Sequence, residues 1–109
     1  MSTTMTDRRR SHRYPLVFVT IVEHLDQPRT MLSGLTADLS TCGCFVDVLN
    51  PMLVGTKVRI KLHWGQEAFE TTGKVASVDP GHGMGLEFTK QISIDQLDVL
   101  ERWLAGERN

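Results

Sequence analysis

Cysteine is almost missing from this chain. Cys42 and Cys44 are the two present, one residue apart. On a single strand they would point to the same face, yet they sit too close in sequence for an ordinary stapling disulfide. His12, His24, His63 and His82 are scattered, and no second Cys/His pair stands at zinc spacing, so a metal centre is not expected. Aromatic residues make up only 6% of the chain and mostly fall at core-phase positions, which leaves few faces on which single-stranded bases could stack. The longest apolar run, Leu16 to Val22, is broken by Thr20 and is far too short to span a bilayer. Met1 to Asp7 has no apolar signal-peptide core, so the chain reads as cytoplasmic with no membrane insertion. A G-x-S-x-G elbow and a convincing acid–base pair are also missing, and a barrel of this length encloses little volume; neither catalysis nor a cofactor is expected.

What is present suits one small domain: 109 residues, 40% hydrophobic, with a formal net charge of -1. That charge is unevenly spread. Of the 12 Lys+Arg, Arg8, Arg9, Arg10 and Arg13 cluster within six positions, with only Asp7 against them. The cluster reads either as a solvated basic tail or as an arm directed at an anion. Residues 1–7, short and polar, read as a disordered tail.

From Pro15 the pattern turns extended. Strands are expected over Leu16–Glu23, Met31–Asp38 (with Gly34 as a weak point or bulge), Cys44–Leu49, Thr56–Trp64, Glu67–Val78 and Met84–Phe88. Thr56–Trp64 is the clearest, because Val58, Ile60, Leu62 and Trp64 alternate with Lys57, Arg59, Lys61 and His63. That basic face could be a nucleic-acid stripe, although the wet side of an amphipathic strand explains it without a ligand. Asp26-Gln27-Pro28, Gly65-Gln66 and Pro80-Gly81-His82-Gly83 supply the turns. Gly81 to Gly85 leads into a strand instead of opening a helix, so it is not a phosphate loop. After residue 92 the period changes. Ser93 and Gln96 form a capping-box pattern, Leu97, Leu100, Trp103 and Leu104 share a helical face, and Gly106 is a stop. The expectation is a mostly β domain over residues 8–105: an arginine arm at 8–13, a six-stranded antiparallel barrel over 15–89 and a helix over 93–105.

Two short patterns carry the functional reading. The first is Arg9-x-x-x-Arg13. The second is Asp38-x-Ser40-x-x-Gly43, at the break between two strands. Taken alone, the second is an ordinary turn, since Asp, Ser and Gly are turn residues. Together and in this order they resemble the paired motifs of the PilZ domain family, and Val54–Val58 and Gly85–Phe88 resemble its middle and final strands. The resemblance runs from Arg8 to Leu104. It implies a six-stranded barrel that binds cyclic di-GMP and signals to a separate, unidentified effector protein. The runner-up is an adapter of the same fold that binds no nucleotide.

The residue types fit such a ligand. Arginine can donate bidentately to guanine O6 and N7, stack on a purine or pair with phosphate. A carboxylate at Asp38 can accept from the guanine N1–H and N2–H₂ edge, which adenine lacks. Ser40 would bond the base edge or orient the turn, and Gly43 would allow a sharp turn or close approach to the ligand. Arg8 could stack a further guanine, so an intercalated ligand pair is expected as readily as a single molecule, and such a pair could link two chains.

Overall fold

In a computed structural model, residues 17–106 are described. Six strands are followed by one helix: β1 (Phe18–His24), β2 (Met31–Leu39), β3 (Gly43–Asp47), β4 (Lys57–Trp64), β5 (Glu67–Asp79), β6 (Gly83–Phe88) and α1 (Ile94–Leu104). The expected elements are all there, with ends moved by one or two residues. The arm at 8–13 and the tail at 1–7 lie outside the described residues.

The strands form a closed antiparallel barrel in the order β1-β2-β3-β6-β5-β4. Two three-stranded meanders, β1–β2–β3 and β4–β5–β6, are joined by the β3–β6 and β1–β4 pairs. Closure leaves no strand edge exposed. Alternation along each strand sends Val22, Val46, Val58, Ile60, Leu62, Phe69, Met84 and Leu86 into the barrel. Two hydroxyls are sealed in with them, and Thr20 and Thr36 satisfy one another at 2.7 Å. Gly34 is not the predicted bulge. It pairs regularly with Thr20, and a Cβ there would run into the carbonyl oxygen of Asp47. The register shift on β2 falls instead between Thr36 and Asp38, and a second shift on β5 falls between Val75 and Ser77.

α1 packs onto this barrel. Ser93 caps its start, its hydroxyl accepting from the Gln96 N–H at 3.3 Å. The capping box is only half formed, because the Gln96 side chain accepts from the Glu70 N–H at 2.6 Å and so ties the helix to β5. Leu100 and Trp103 are fully buried, and Leu97, Val99 and Leu104 are packed partly under them. The Trp103 ring stacks on Phe18 with centroids 5.2 Å apart and meets Trp64 edge-on at 5.7 Å. Its indole N–H donates to Glu67 Oε1 at 3.0 Å, while Arg102 donates to Glu67 Oε2 at 2.8 Å. A single carboxylate on the β4–β5 hairpin therefore holds the C-terminal turn of the helix.

Candidate functional site

The β2-to-β3 connection is built from three local features. The first is the bulge. Leu32, Gly34 and Thr36 lie on the inward side of β2, and strict alternation would turn Asp38 inward as well. The extra residue at position 37 breaks that phase, so Thr36 pairs with Val46 while Asp38 pairs with Phe45. Cys44 and Val46 are buried, so Phe45 is on the outer side of β3, and Asp38 joins it there, exposed.

The second feature is the Ser40 hydroxyl. Ser40 Oγ accepts from the backbone N–H groups of Cys42 at 3.1 Å and Gly43 at 3.2 Å, while the Ser40 N–H donates to the Gly43 carbonyl at 2.9 Å. The side chain supplies the acceptor that the turn's own backbone lacks, as serine does in such turns. The Phe88 N–H donates to the Cys42 carbonyl at 2.8 Å, fastening the turn to the end of β6.

The third feature is Gly43, and its reason differs from the expected one. It is the first residue of β3, not part of a left-handed turn. A Cβ built on it would fall well inside van der Waals contact of the Leu86 carbonyl oxygen on the neighbouring strand. The glycine is therefore required by the close approach of β3 to β6.

Asp38, Leu39, Ser40, Gly43, Cys44 and Phe45 line an open concavity of about 310 Å³. Of the sequence-derived site residues, Asp38, Ser40 and Gly43 are thus brought together. Arg8, Arg9, Arg10 and Arg13 lie outside the described residues. Phe45 was missed in the sequence, and its ring lies over Gly83, where a Cβ would meet ring carbon Cε2 at 2.6 Å. The alternation of Cys44, Phe45 and Val46, all within the expected strand Cys44–Leu49, is the signal that marks it as outward-facing. Cys42 is in the turn and exposed, Cys44 is buried on β3, and both are free thiols. Burial pushes the Cys44 thiol up to about 12, against a smaller opposing effect of its hydrogen bond with Thr36.

Among the described residues there is no group of three His, Cys, Asp or Glu side chains arranged to hold a metal ion. No helix among them is long and apolar enough to cross a membrane.

Comparison with known proteins agrees with this geometry. A family model described as the PilZ domain matches residues 7–106. Among solved structures, the barrel is similar to the PilZ domain of CeSA from a cellulose-synthesizing bacterium, with 23% identity and a TM-score of 0.67. That match covers 88% of this chain and 97% of the other. No curated protein matches the chain.

Proposed function

The chain belongs to the PilZ domain family, and we propose that it is a receptor for cyclic di-GMP that clamps the ligand between its arginine arm and the Asp38–Gly43 turn. Proteins of this family are generally receptors for that nucleotide. The observation that carries the proposal is the turn itself. It holds the complete Asp38-x-Ser40-x-x-Gly43 pattern, fixed by the Cys42 and Gly43 N–H groups donating to Ser40 Oγ, with a bulge that brings the Asp38 carboxylate to the outer surface.

The arm is rooted in the right place. Phe18 pairs with Thr36, so the chain leaves the barrel on the strand beside the one that carries Asp38. Arg13 is four residues before Val17 and Arg9 is eight, spans of at most about 14 and about 28 Å. On this reading both guanidinium groups fold back to the turn. The concavity at the turn, about 310 Å³, is at the small end of the roughly 300–1,000 Å³ typical of ligand sites. A dinucleotide with two bases and two phosphates needs a second wall, and the arm supplies it.

The residues then divide the work. Asp38 accepts from the N1–H and N2–H₂ edge of one guanine, which selects against adenine. Arg9 and Arg13 contact guanine O6/N7 and phosphate, with Arg8 and Arg10 adding positive charge and a further stacking surface. Ser40 is occupied within the turn and acts as a positioning residue. Phe45 adds an aromatic wall beside Asp38. Four arginines close together repel one another, and a dianionic ligand relieves that repulsion, so ligand binding orders the arm against the barrel. The arm's position is the signal that a separate effector protein reads.

Calorimetry with cyclic di-GMP, GMP and single-stranded RNA tests this reading. Saturable binding of the dinucleotide alone supports it, and two ligands per chain would mark an intercalated pair. No binding at high micromolar ligand would point to a nucleotide-free adapter.

A further inference from the structure

A second concavity, of about 320 Å³, opens where the start of β4 and the end of β6 meet the middle of β5. Lys57, Lys74 and Lys90 line it together with Leu25 and Phe88. The three lysines are exposed, whereas Phe88 is 4% exposed and Leu25 is half-buried, so the apolar lining is recessed behind a cationic rim. Outside the arginine cluster, acidic residues outnumber basic ones in this chain, which makes the gathering of three lysines on one hollow stand out.

The fold does not neutralise these lysines. Lys57 and Lys74 are direct cross-strand partners, an arrangement of like charges that weakens a sheet. Among the described residues, Glu87 is the only carboxylate lining the concavity, and it lies 3.5 Å from Lys74. Lys57 and Lys90 have no carboxylate partner among the described residues. By contrast, Arg59 is held by Glu23 and Glu70, and Arg102 by Glu67 and Asp98. An anionic occupant would relieve the repulsion at the rim.

We propose that this concavity docks an acidic peptide segment of a partner protein, with its carboxylates on Lys57, Lys74 and Lys90 and one apolar side chain over Phe88 and Leu25. Lysine is a compact point charge that suits a carboxylate, and it lacks the planar fork with which arginine reads bases. The recessed apolar lining is reached by a protruding side chain but not by a flat bilayer surface. Glu87 on the rim repels a chain of phosphates, whereas a peptide backbone offers it N–H donors. The position also suits signalling. Glu87 pairs with Gly43, and the Phe88 N–H donates to the Cys42 carbonyl at 2.8 Å, so one wall of the concavity is fastened to the Asp38–Gly43 turn. The docking itself does not depend on nucleotide.

Fluorescence anisotropy on the full chain without nucleotide tests this. The probes are short labelled peptides with a leucine, isoleucine or phenylalanine between runs of aspartate or glutamate. At least one is expected to bind saturably with a Kd of roughly 10–500 μM. Lys57→Glu and Lys90→Glu are each expected to weaken it by at least about tenfold, as is serine at the apolar position of the peptide. Lys61→Glu, outside the concavity, should leave binding unchanged, and so should Arg9→Ala with Arg13→Ala. Lys57→Glu faces Lys74 across the strands, so its melting temperature should not fall; if that variant fails to fold, Lys57→Gln makes the same test. No binding of any peptide below about 1 mM would overturn the proposal. Binding lost in the arginine variant but kept in the lysine variants would also overturn it, assigning the peptide to the arm. Lysine-dependent binding to phosphatidylglycerol vesicles without peptide binding would overturn it in favour of a membrane surface.

Discussion

Thr36 and Asp38 are two residues apart on one strand, yet they face opposite sides of the barrel wall. Thr36 is sealed in the core, bonded to Thr20, and Asp38 is exposed beside Phe45. The bulge between them separates a structural position from a binding position. Asp38→Ala, at an exposed position, is expected to change stability less than a substitution in the sealed core does. Thr36→Val, which leaves the Thr20 hydroxyl without its 2.7 Å partner, is expected to cost about 1–3 kcal/mol. Urea denaturation of both variants measures the contrast.

Ser40 and Gly43 belong to one motif but should fail differently. Ser40→Ala removes the acceptor of two backbone N–H groups in an exposed turn, at a cost of about 1 kcal/mol. Hydrogen exchange at the Cys42 and Gly43 amides should quicken, and ligand binding should weaken as the turn loosens. Gly43→Ala forces β3 away from the Leu86 carbonyl and should cost about 1–3 kcal/mol before any ligand is added. A Gly43→Ala protein as stable as wild type would show that the strands tolerate a Cβ there.

The two cysteines offer a probe at each side of the wall. A thiol reagent near neutral pH should modify Cys42 quickly and Cys44 only after unfolding, and bound nucleotide should slow the reaction at Cys42. Burial raises the Cys44 thiol from 9.0 to about 12, so its contribution to stability is complete below about pH 9 and is lost as pH climbs towards 12. The stability advantage of wild type over Cys44→Ala should therefore be smaller at about pH 10 than at about pH 7.

Glu67 accepts from both Trp103 and Arg102, which makes it the anchor of the helix. Glu67→Ala leaves the buried indole N–H without its acceptor and should cost about 1–3 kcal/mol. Tryptophan emission should shift as water reaches Trp103. Glu67→Gln, which keeps an acceptor, should recover part of the loss.

Much of this was legible from residue patterns. β4 and its neighbours announced themselves by alternation, Gly65-Gln66 by turn chemistry, and α1 by Ser93 and the spacing of Leu97, Leu100 and Trp103. What escaped were events that no local pattern encodes. The bulge after Thr36 shifts the phase by one residue without a glycine or proline to mark it. Gly43 looked like a turn glycine, whereas the need for it comes from Leu86 on another strand. The Glu67–Trp103 bond joins residues far apart in sequence, and a Gln96 that fits a capping box instead bonds β5. In each case a tertiary contact decided between local options.

The central claim is that the arm and the turn grip the same ligand. Its most direct test is calorimetric titration of cyclic di-GMP into wild type, Arg13→Ala, Asp38→Ala and the double variant. Wild type should bind saturably, each single variant should bind at least about tenfold more weakly, and the double variant should lose less than the sum of the two. The melting temperatures of all four should agree closely. Unchanged affinity in either single variant, or losses that simply add, would contradict a shared clamp.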